Sequence, residues 1–185
     1  VTVSNASMFG GAGTVGDVTI PAGCTLRGGD IMGVGTLRTT NLRLEGANDT
    51  ATRCEMGAGG CVDISTPNGF VVVSNNIIID IIGNPPGPGL YDIFTYTGAI
   101  GGVGYSGFQL GALPQYTTGS LQHDIGRAVQ LSIDSVDSPV WTGSTDNNWD
   151  LSGVLNWVGA SSSTPMGYTD GDYVQFKETG SEATF

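Results

Sequence analysis

The chain has 185 residues, a formal net charge of −11 from 6 Lys and Arg against 17 Asp and Glu, and a single histidine, His123. A chain so poor in cations is not expected to bind nucleic acid or anionic lipid, and its length suits one domain or one unit of a longer array. With 31 glycines and 8 prolines it is not a helical bundle, and no apolar run is long enough to span a membrane.

Apolar and polar residues alternate along most of the chain, as in the segments Val18–Ile20 and Leu42–Leu44. Clusters rich in glycine and proline separate these segments, at spacings too short for crossover helices. The pattern predicts an all-β chain in which any helix is a single turn. Short strands punctuated by glycine favour a β-solenoid similar to a parallel β-helix, and a jelly-roll-like β-sandwich is the alternative.

Two cysteines, Cys54 and Cys61, enclose a short glycine-rich loop, which predicts a disulfide between them in an oxidising compartment. Cys24 is left over, either as a buried small hydrophobe or as a link to another chain. The three cysteines and the distant His123 lack the close pairs of a zinc site, so no metal site is predicted from them.

The run Ile77–Ile82 is apolar on both strand faces apart from Asp80. Such a strand is either a central strand covered on both sides or a strand that pairs with another chain. Under the second interpretation Ile77, Ile79 and Ile81 are contacts between units.

The composition changes near residue 137, because all three tryptophans, Trp141, Trp149 and Trp157, follow it at intervals of eight residues. We therefore expect a glycine-rich solenoid body at residues 1–137 and a cap or inter-unit module at residues 138–185. The tryptophans either cap the core and pack between units or form an exposed platform that binds glycans.

Acidic turns in the second module carry the oxygen ligands that calcium prefers, at Asp146, Asp150, Asp170 and Asp172, but they lack a recognised calcium-loop pattern. Calcium is therefore a weak expectation, and no other cofactor is predicted.

Catalysis has little support in the sequence. His123 adjoins Asp124, but no nucleophile motif accompanies it, so a surface histidine is expected. Two carboxylates on neighbouring coils could form a glycosidase pair, but no spacing in the sequence requires such a pair. The candidates are Asp30, Glu45, Asp63, Asp80 and Asp92. The chain is predicted to be non-enzymatic, with a polysaccharide-cleaving β-helix enzyme as a minor alternative.

The segment Val140–Asp150, followed by Asn156-Trp157 and Gly171–Phe176, resembles the opening motif of autotransporter-associated β-strand repeats. The glycine-rich stretches Gly11–Asp30 and Gly89–Gly98 resemble later parts of the same repeats. These repeats occur in large bacterial surface and secreted proteins whose passenger regions are taken to be parallel β-solenoids. The resemblance implies an extracellular or cell-surface location.

The part that resembles the beginning of a repeat lies at the end of this chain, so Phe185 would lead into Val1 of another copy. A solenoid end exposes unpaired backbone groups, and stacking the next unit head-to-tail satisfies them and generates a filament. A segment with arbitrary boundaries is the alternative. The predicted inter-unit packing residues are Trp141, Trp149, Trp157, Phe176, Phe185, Ile77, Ile79, Ile81, Val1 and Val3.

Taken together, these features predict a secreted structural protein whose partner is itself, as a homopolymer or as tandem copies in a filament, matrix, appendage or adhesive stalk. A glycan-binding adhesin module with exposed tryptophans is the main alternative.

Overall fold

The computed structural model describes residues 1–4, 6–31, 33–47, 49–57, 59–83, 87–146, 156–168 and 174–176. Within these ranges the regular structure is strand, apart from a single 3₁₀ turn, η1, at Gly104–Gly107. The prediction of an all-β chain is confirmed.

The chain divides into two compact units. Unit 1 comprises Val1–Pro114 and Thr118–Asp134, and unit 2 comprises Gln115–Thr117 and Ser135–Phe185. The composition change predicts a boundary after residue 137, whereas the structure divides the chain after residue 134.

The described residues contain fifteen strands before the sheet of unit 2. They are β1 (Met8–Gly11), β2 (Gly13–Val15), β3 (Val18–Pro21), β4 (Thr25–Gly28), β5 (Gly35–Thr39), β6 (Leu42–Glu45), β7 (Thr52–Gly57), β8 (Gly60–Ile64), β9 (Phe70–Val72), β10 (Ile77–Ile82), β11 (Gly89–Thr95), β12 (Gly101–Gly102), β13 (Phe108–Leu110), β14 (Thr117–Asp124) and β15 (Ala128–Val136).

These strands form three sheets, and each strand from β1 to β10 pairs with the strand three places later in the chain. Strand β11 pairs instead with β15, the second strand of the hairpin β14–β15. The first sheet has the order β1-β4-β7-β10-β13, the second β14-β15-β11-β8-β5-β2 and the third β12-β9-β6-β3. We call three consecutive strands, one in each sheet, a layer, so that β1, β2 and β3 form the first layer. The pairs between layers are parallel, unlike the antiparallel pairs of a jelly roll.

The alternating apolar residues face the core because successive side chains of a strand point to opposite faces of its sheet. In the third sheet Ile20, Leu44 and Val72 occupy equivalent positions on neighbouring strands, and all three are fully buried. Burying an aliphatic side chain contributes about 1.5–3 kcal/mol, so these columns stabilise the stacking of the layers.

Strand β10, the run Ile77–Ile82, is a central strand. It pairs with β7 on one side and with β13 on the other, and Ile77, Ile79 and Ile81 are buried in the core. The interpretation of these three residues as contacts between units is therefore wrong. On the outer face of β10 the apolar side chains of Ile78 and Ile82 are half-buried, and Asp80 between them is buried. The apolar residues on this face are therefore partly covered within the chain itself.

Glycines turn the chain from the first sheet to the second in successive layers. A Cβ atom on Gly60 would lie 2.6 Å from the carbonyl oxygen of Gly28 and closer still to that of Gly33. Gly33 itself has a φ of 72°, in the region that favours glycine. The corners therefore pack backbone against backbone from one layer to the next.

Adding a methyl group at this corner tests the packing. We expect Gly60→Ala to lower the free energy of unfolding by about 1–3 kcal/mol, because the methyl group must displace backbone atoms. Gly16→Ala is the matched control, since a Cβ at Gly16 meets nothing within 4 Å, and should change that energy by less than about 0.5 kcal/mol. Urea unfolding followed by far-UV circular dichroism measures both, and equal effects would contradict the corner packing.

The described residues of unit 2 form a sheet of four strands, of order β18-β17-β16-β19. Its strands are β16 (Pro139–Trp141), β17 (Trp157–Gly159), β18 (Pro165–Met166) and β19 (Gln175–Phe176). Strand β17 is antiparallel to both β16 and β18, whereas β19 is parallel to β16.

Candidate functional site

The first layer leaves one edge of β1 and one edge of β2 open in the described part of the chain. Strand β1 pairs only with β4, and β2 pairs only with β5. An edge strand presents a row of unpaired N–H and C=O groups, which is a template for another strand. We call the open edges of β1 and β2 the acceptor edge.

Hydrogen bonds identify the backbone groups at the acceptor edge. The carbonyls of Ser7 and Gly11 accept bonds from the second layer, and backbone groups alternate in direction along a strand, so those of Met8 and Gly10 face outward. The Gly16 carbonyl accepts a bond from the second layer, so by the same alternation the backbone groups of Val15 face the open side.

A short arm, residues 1–3, lies along the open side of the third sheet. Thr2 forms a parallel bridge with Thr19, the Thr19 N–H donates to the Val1 carbonyl at 2.9 Å, and the Val3 N–H donates to the Thr19 carbonyl at 3.2 Å. Val3 is buried, whereas Val1 is 59% exposed. The arm thus stands where the third-sheet strand of a preceding layer would stand.

Apolar side chains are exposed at this end of the core. Met8 is 51% exposed, and the inward-facing Phe9 and Val15 are only half-buried. Their register partners in the second layer, Leu26 and Thr39, are almost completely buried. The first layer therefore ends the core without a cover over β1 and β2.

Aromatic rings pack in the core toward the end of unit 1 that is opposite the acceptor edge. Phe70, Phe94 and Phe108 come from three different sheets, and their ring centroids are 5.1–5.9 Å apart. Such centroid distances are typical of favourable aromatic pairs. They fill the core beside η1 and the hairpin β14–β15.

A histidine joins this packing. The His123 Nε2 atom on β14 lies 2.6 Å from the hydroxyl oxygen of Tyr96, and its ring stacks on Tyr105 of η1 with centroids 4.6 Å apart. Burial raises the pKa of both tyrosines, which keeps their hydroxyls protonated. The predicted surface histidine is half-buried and links three segments at this end of unit 1.

All five arginines form ion pairs on the outer faces of unit 1, and four of these pairs use carboxylates that the sequence offered for catalysis. The pairs are Arg27–Glu55, Arg38–Asp63 at 3.6 Å, Arg43–Glu45 at 2.5 Å, Arg53–Asp80, and Arg127 with Asp124 and with Asp92 at 2.9 Å. The hydrogen bond from Arg127 holds the pKa of Asp92 below its usual value. Exposed pairs contribute only about 0–1 kcal/mol each.

No cluster of three or more His, Cys, Asp or Glu side chains suited to a metal ion occurs among the described residues. Asp146, one of the calcium candidates, accepts a hydrogen bond from the Asn156 side chain at 2.7 Å. The other three candidates, Asp150, Asp170 and Asp172, lie outside the described residues.

The three cysteines are free thiols. Cys54 points into the core from β7 and is fully buried, whereas Cys61 lies on the outer face of β8, 3.8 Å from the Thr95 hydroxyl. The predicted Cys54–Cys61 disulfide is therefore wrong, because the two side chains point to opposite faces. Burial raises the pKa of both thiols, which disfavours the reactive thiolate. Cys24 is buried, in agreement with its interpretation as a small hydrophobe.

Thiol labelling without reductant distinguishes these states. We expect three labelled thiols per chain after unfolding, and labelling of Cys61 before Cys24 and Cys54 in the folded protein, since only Cys61 is partly exposed. Mass spectrometry of the labelled chain gives the count. A single labelled thiol per unfolded chain would contradict the free Cys54 and Cys61.

In unit 2 the predicted tryptophan module forms a core. Trp157 is completely buried and stacks on Tyr168 with centroids 5.0 Å apart, so its assignment both to an exposed glycan platform and to an inter-unit surface is wrong. Trp141 is half-buried and contacts Phe176, which is 61% exposed, so both stay candidates for packing between units. Trp149 and Phe185 lie outside the described residues.

Buried Asn156 and the carboxylate of Asp137 hold the loops of unit 2. The Asn156 side-chain oxygen accepts bonds from the N–H groups of Thr145 and Asp146 at 2.8 and 3.1 Å. Asp137 accepts from the N–H groups of Ser138 and Ser161, both at 2.9 Å, and from the Ser162 hydroxyl at 2.6 Å. Burial acts to raise the pKa of Asp137, but these bonds outweigh it and the pKa is lowered.

The lowered pKa makes the contribution of Asp137 depend on pH. A carboxyl whose folded pKa lies below its unfolded value stabilises the fold above the unfolded value, 3.8 here, and loses that effect as pH falls through the folded pKa. We expect Asp137→Asn to destabilise unit 2 at pH 7 and the difference from the unchanged protein to shrink below about pH 4.

Tryptophan fluorescence during urea unfolding measures this difference, because all three tryptophans belong to residues 135–185. A difference that stays constant from pH 7 to pH 3 would contradict the role of the ionised carboxylate.

Sequence reasoning missed the acceptor edge and the Tyr96–Tyr105–His123 cluster. The alternation of Met8–Val15 is hidden by glycine, and the cluster joins residues from three distant segments. The similar patterns Val1-Thr2-Val3 and Val18-Thr19-Ile20 were the sequence signal that could have indicated pairing of residues 1–3 with the first layer.

Comparisons with protein-family models, with curated proteins and with solved structures found no match for the chain. The resemblance to autotransporter-associated repeats stays a prediction. No helix in the described ranges is long and apolar enough to cross a membrane.

Proposed function

We propose that the chain is an extracellular structural protein whose three parallel sheets wind as a β-solenoid and whose copies follow one another head-to-tail in a filament or surface array. The acceptor edge is the observation that carries this proposal. Unpaired edges with exposed apolar side chains such as Met8 are a liability in a solitary globular protein, and pairing with another unit removes it.

The two ends of unit 1 differ, as a head-to-tail contact requires. One end carries the acceptor edge and the other carries the last strands β13 and β14. Strand β15 is antiparallel to β11, and the tight turn at residues 125–127 reverses the chain again, so β14 runs in the direction of β11 and β2. Both ends thus offer strands of one direction, which suits an open, heterologous assembly.

The charged groups favour a structural role over catalysis. Three arginine–carboxylate pairs tie neighbouring strands together on the outer faces, as Arg27 and Glu55 do between β4 and β7. The resemblance to autotransporter-associated repeats supports a location outside the cell. The glycan-binding alternative loses one of its three tryptophans, because Trp157 is inside the core.

Assembly through the acceptor edge is tested by Met8→Pro. Proline removes an N–H that faces the open side and leaves the bonds to β4 in place, so we expect association of the purified chain to weaken at least about tenfold. Met8→Thr is the matched control, because it removes the apolar side chain but keeps the N–H group. Sedimentation velocity over a concentration series, with electron microscopy of the products, measures both variants.

The proposal predicts concentration-dependent assembly of the unchanged chain and of Met8→Thr. A chain that stays monomeric at the highest concentration, or an assembly that Met8→Pro leaves intact, would contradict it.

A further inference from the structure

A groove of about 290 Å³ crosses the outer face of the third sheet, over strands β3, β6 and β9. Its floor is the backbone at Val18 and Leu42, whose side chains are buried in the core. Two rows of residues flank this floor, two residues or about 6.6 Å apart along each strand. Within a row the residues are neighbours on adjacent strands. The first row is Thr19, Arg43 and Val71, and the second is Asp17, Asn41 and Gly69.

The second row has a gap in the third layer, because Gly69 has no side chain there. A Cβ atom on Gly69 would lie 2.5 Å from the side-chain oxygen of Asn41 and 2.9 Å from the carbonyl oxygen of Thr66. The preceding residue, Asn68, lines the groove beside this gap. The groove therefore stays open across three layers.

Two asparagine side chains at the groove are held in fixed orientations. The Asn68 side-chain oxygen accepts a hydrogen bond from the Ala99 N–H at 2.8 Å, and the Asn41 side-chain nitrogen donates to the Asp17 carboxylate at 2.7 Å. The other half of each amide, the Asn68 nitrogen and the Asn41 oxygen, forms no hydrogen bond with the described residues. A ligand that binds to these groups loses little affinity to the ordering of side chains.

The opposite row adds a guanidinium group and an apolar contact. The Arg43 Nε atom donates to the Glu45 carboxylate at 2.5 Å, whereas the two terminal nitrogens of Arg43 form no hydrogen bond within the described part of the chain. Val71 is half-buried beside it. A few convergent polar groups around an apolar surface are the usual composition of a small-molecule site.

We propose that this groove binds a neutral oligosaccharide that lies across β3, β6 and β9. Sugar hydroxyl groups donate as well as accept, which matches the amide nitrogen of Asn68, the side-chain oxygen of Asn41 and the guanidinium of Arg43. The C–H groups of a sugar ring provide the apolar surface that fits Val71.

Two other classes of ligand fit this groove less well. The carboxylate of Asp17 and the net charge of −11 repel a polyanion. A peptide strand cannot pair with the floor, because the backbone groups of β3, β6 and β9 there are used in the pairing between these strands. The inference goes beyond the proposed function, and it depends neither on assembly nor on the tryptophans.

The test is a titration of the isotopically labelled chain with four trisaccharides, followed by amide chemical shifts. Three probes are neutral, namely cellotriose, maltotriose and tri-N-acetylchitotriose, and the fourth, trigalacturonate, is acidic. With at least one neutral probe we expect saturable shifts at the side-chain amides of Asn41 and Asn68 and at the backbone amides of Arg43 and Val71. Trigalacturonate should bind at least about tenfold more weakly than that probe, because the chain is acidic.

Variants assign the binding to the groove. Arg43→Ala removes the guanidinium and should weaken the neutral probe at least about tenfold, since hydrogen bonds to charged groups are the stronger ones. Arg38→Ala is the matched control, because it removes a similarly exposed, ion-paired arginine from the second sheet and should leave binding unchanged. Asn68→Asp keeps the oxygen that accepts from Ala99 but replaces the amide nitrogen, so it should weaken binding at least about threefold.

Absence of saturable shifts with all three neutral probes, shifts confined to other surfaces, or tighter binding of trigalacturonate would overturn the inference. Equal effects of Arg43→Ala and Arg38→Ala would overturn it as well. The proposed function fails separately. A chain that binds the trisaccharide but never associates refutes the array, whereas a chain that associates without binding any neutral probe refutes this site.

Discussion

Parallel backbone pairing between successive layers is the constraint on which unit 1 depends. Each layer from β1 to β12 supplies one strand to each of three sheets, so its strand-to-strand hydrogen bonds are made with the layers before and after it. This pairing requires the chain to turn at every corner while the strands of neighbouring layers stay within hydrogen-bonding distance. Glycines such as Gly33 and Gly60 meet that requirement, because any Cβ there would push against the neighbouring backbone.

The same constraint explains why the ends differ. A layer in the middle is satisfied on both sides, but an end layer needs a substitute for its missing neighbour. At one end three phenylalanines, the hairpin β14–β15 and the His123 contacts cover the core, while the outer edges of β12, β13 and β14 lack a strand partner in the described chain. At the other end only the arm is in place, over one sheet of three, and the edges of β1 and β2 remain unpaired in the described chain. The proposed array is the consequence of that asymmetry.

The local pattern of the sequence predicts much of the fold. Alternation in Val18–Ile20 and Leu42–Leu44 predicts strands with one buried face, and these segments are neighbours in the third sheet. The three-strand period was not visible, because the corner between the first two sheets has different lengths in different layers: a single residue separates β1 from β2, whereas residues 29–34 separate β4 from β5. Repeat detection needs constant spacing, and the glycine contacts that define the corner are made between layers.

The candidate site was harder to predict for related reasons. Cys54 and Cys61 are close in sequence, but strand alternation sends their side chains to opposite faces, which the spacing alone does not reveal. The run Ile77–Ile82 suggested a contact surface because its outer face is apolar, yet pairing on both sides makes it central. Whether an edge is open depends on which strands lack a neighbour, and this is a property of the topology.

Native-state amide hydrogen exchange tests the central claim most directly. In the monomeric chain at low concentration, the amides of Met8 and Gly10 should exchange at least about a hundredfold faster than that of Phe9, which faces β4. This alternation along a single strand is the signature of a layer paired on one side only. Equal and strong protection of all three amides would contradict the open first layer.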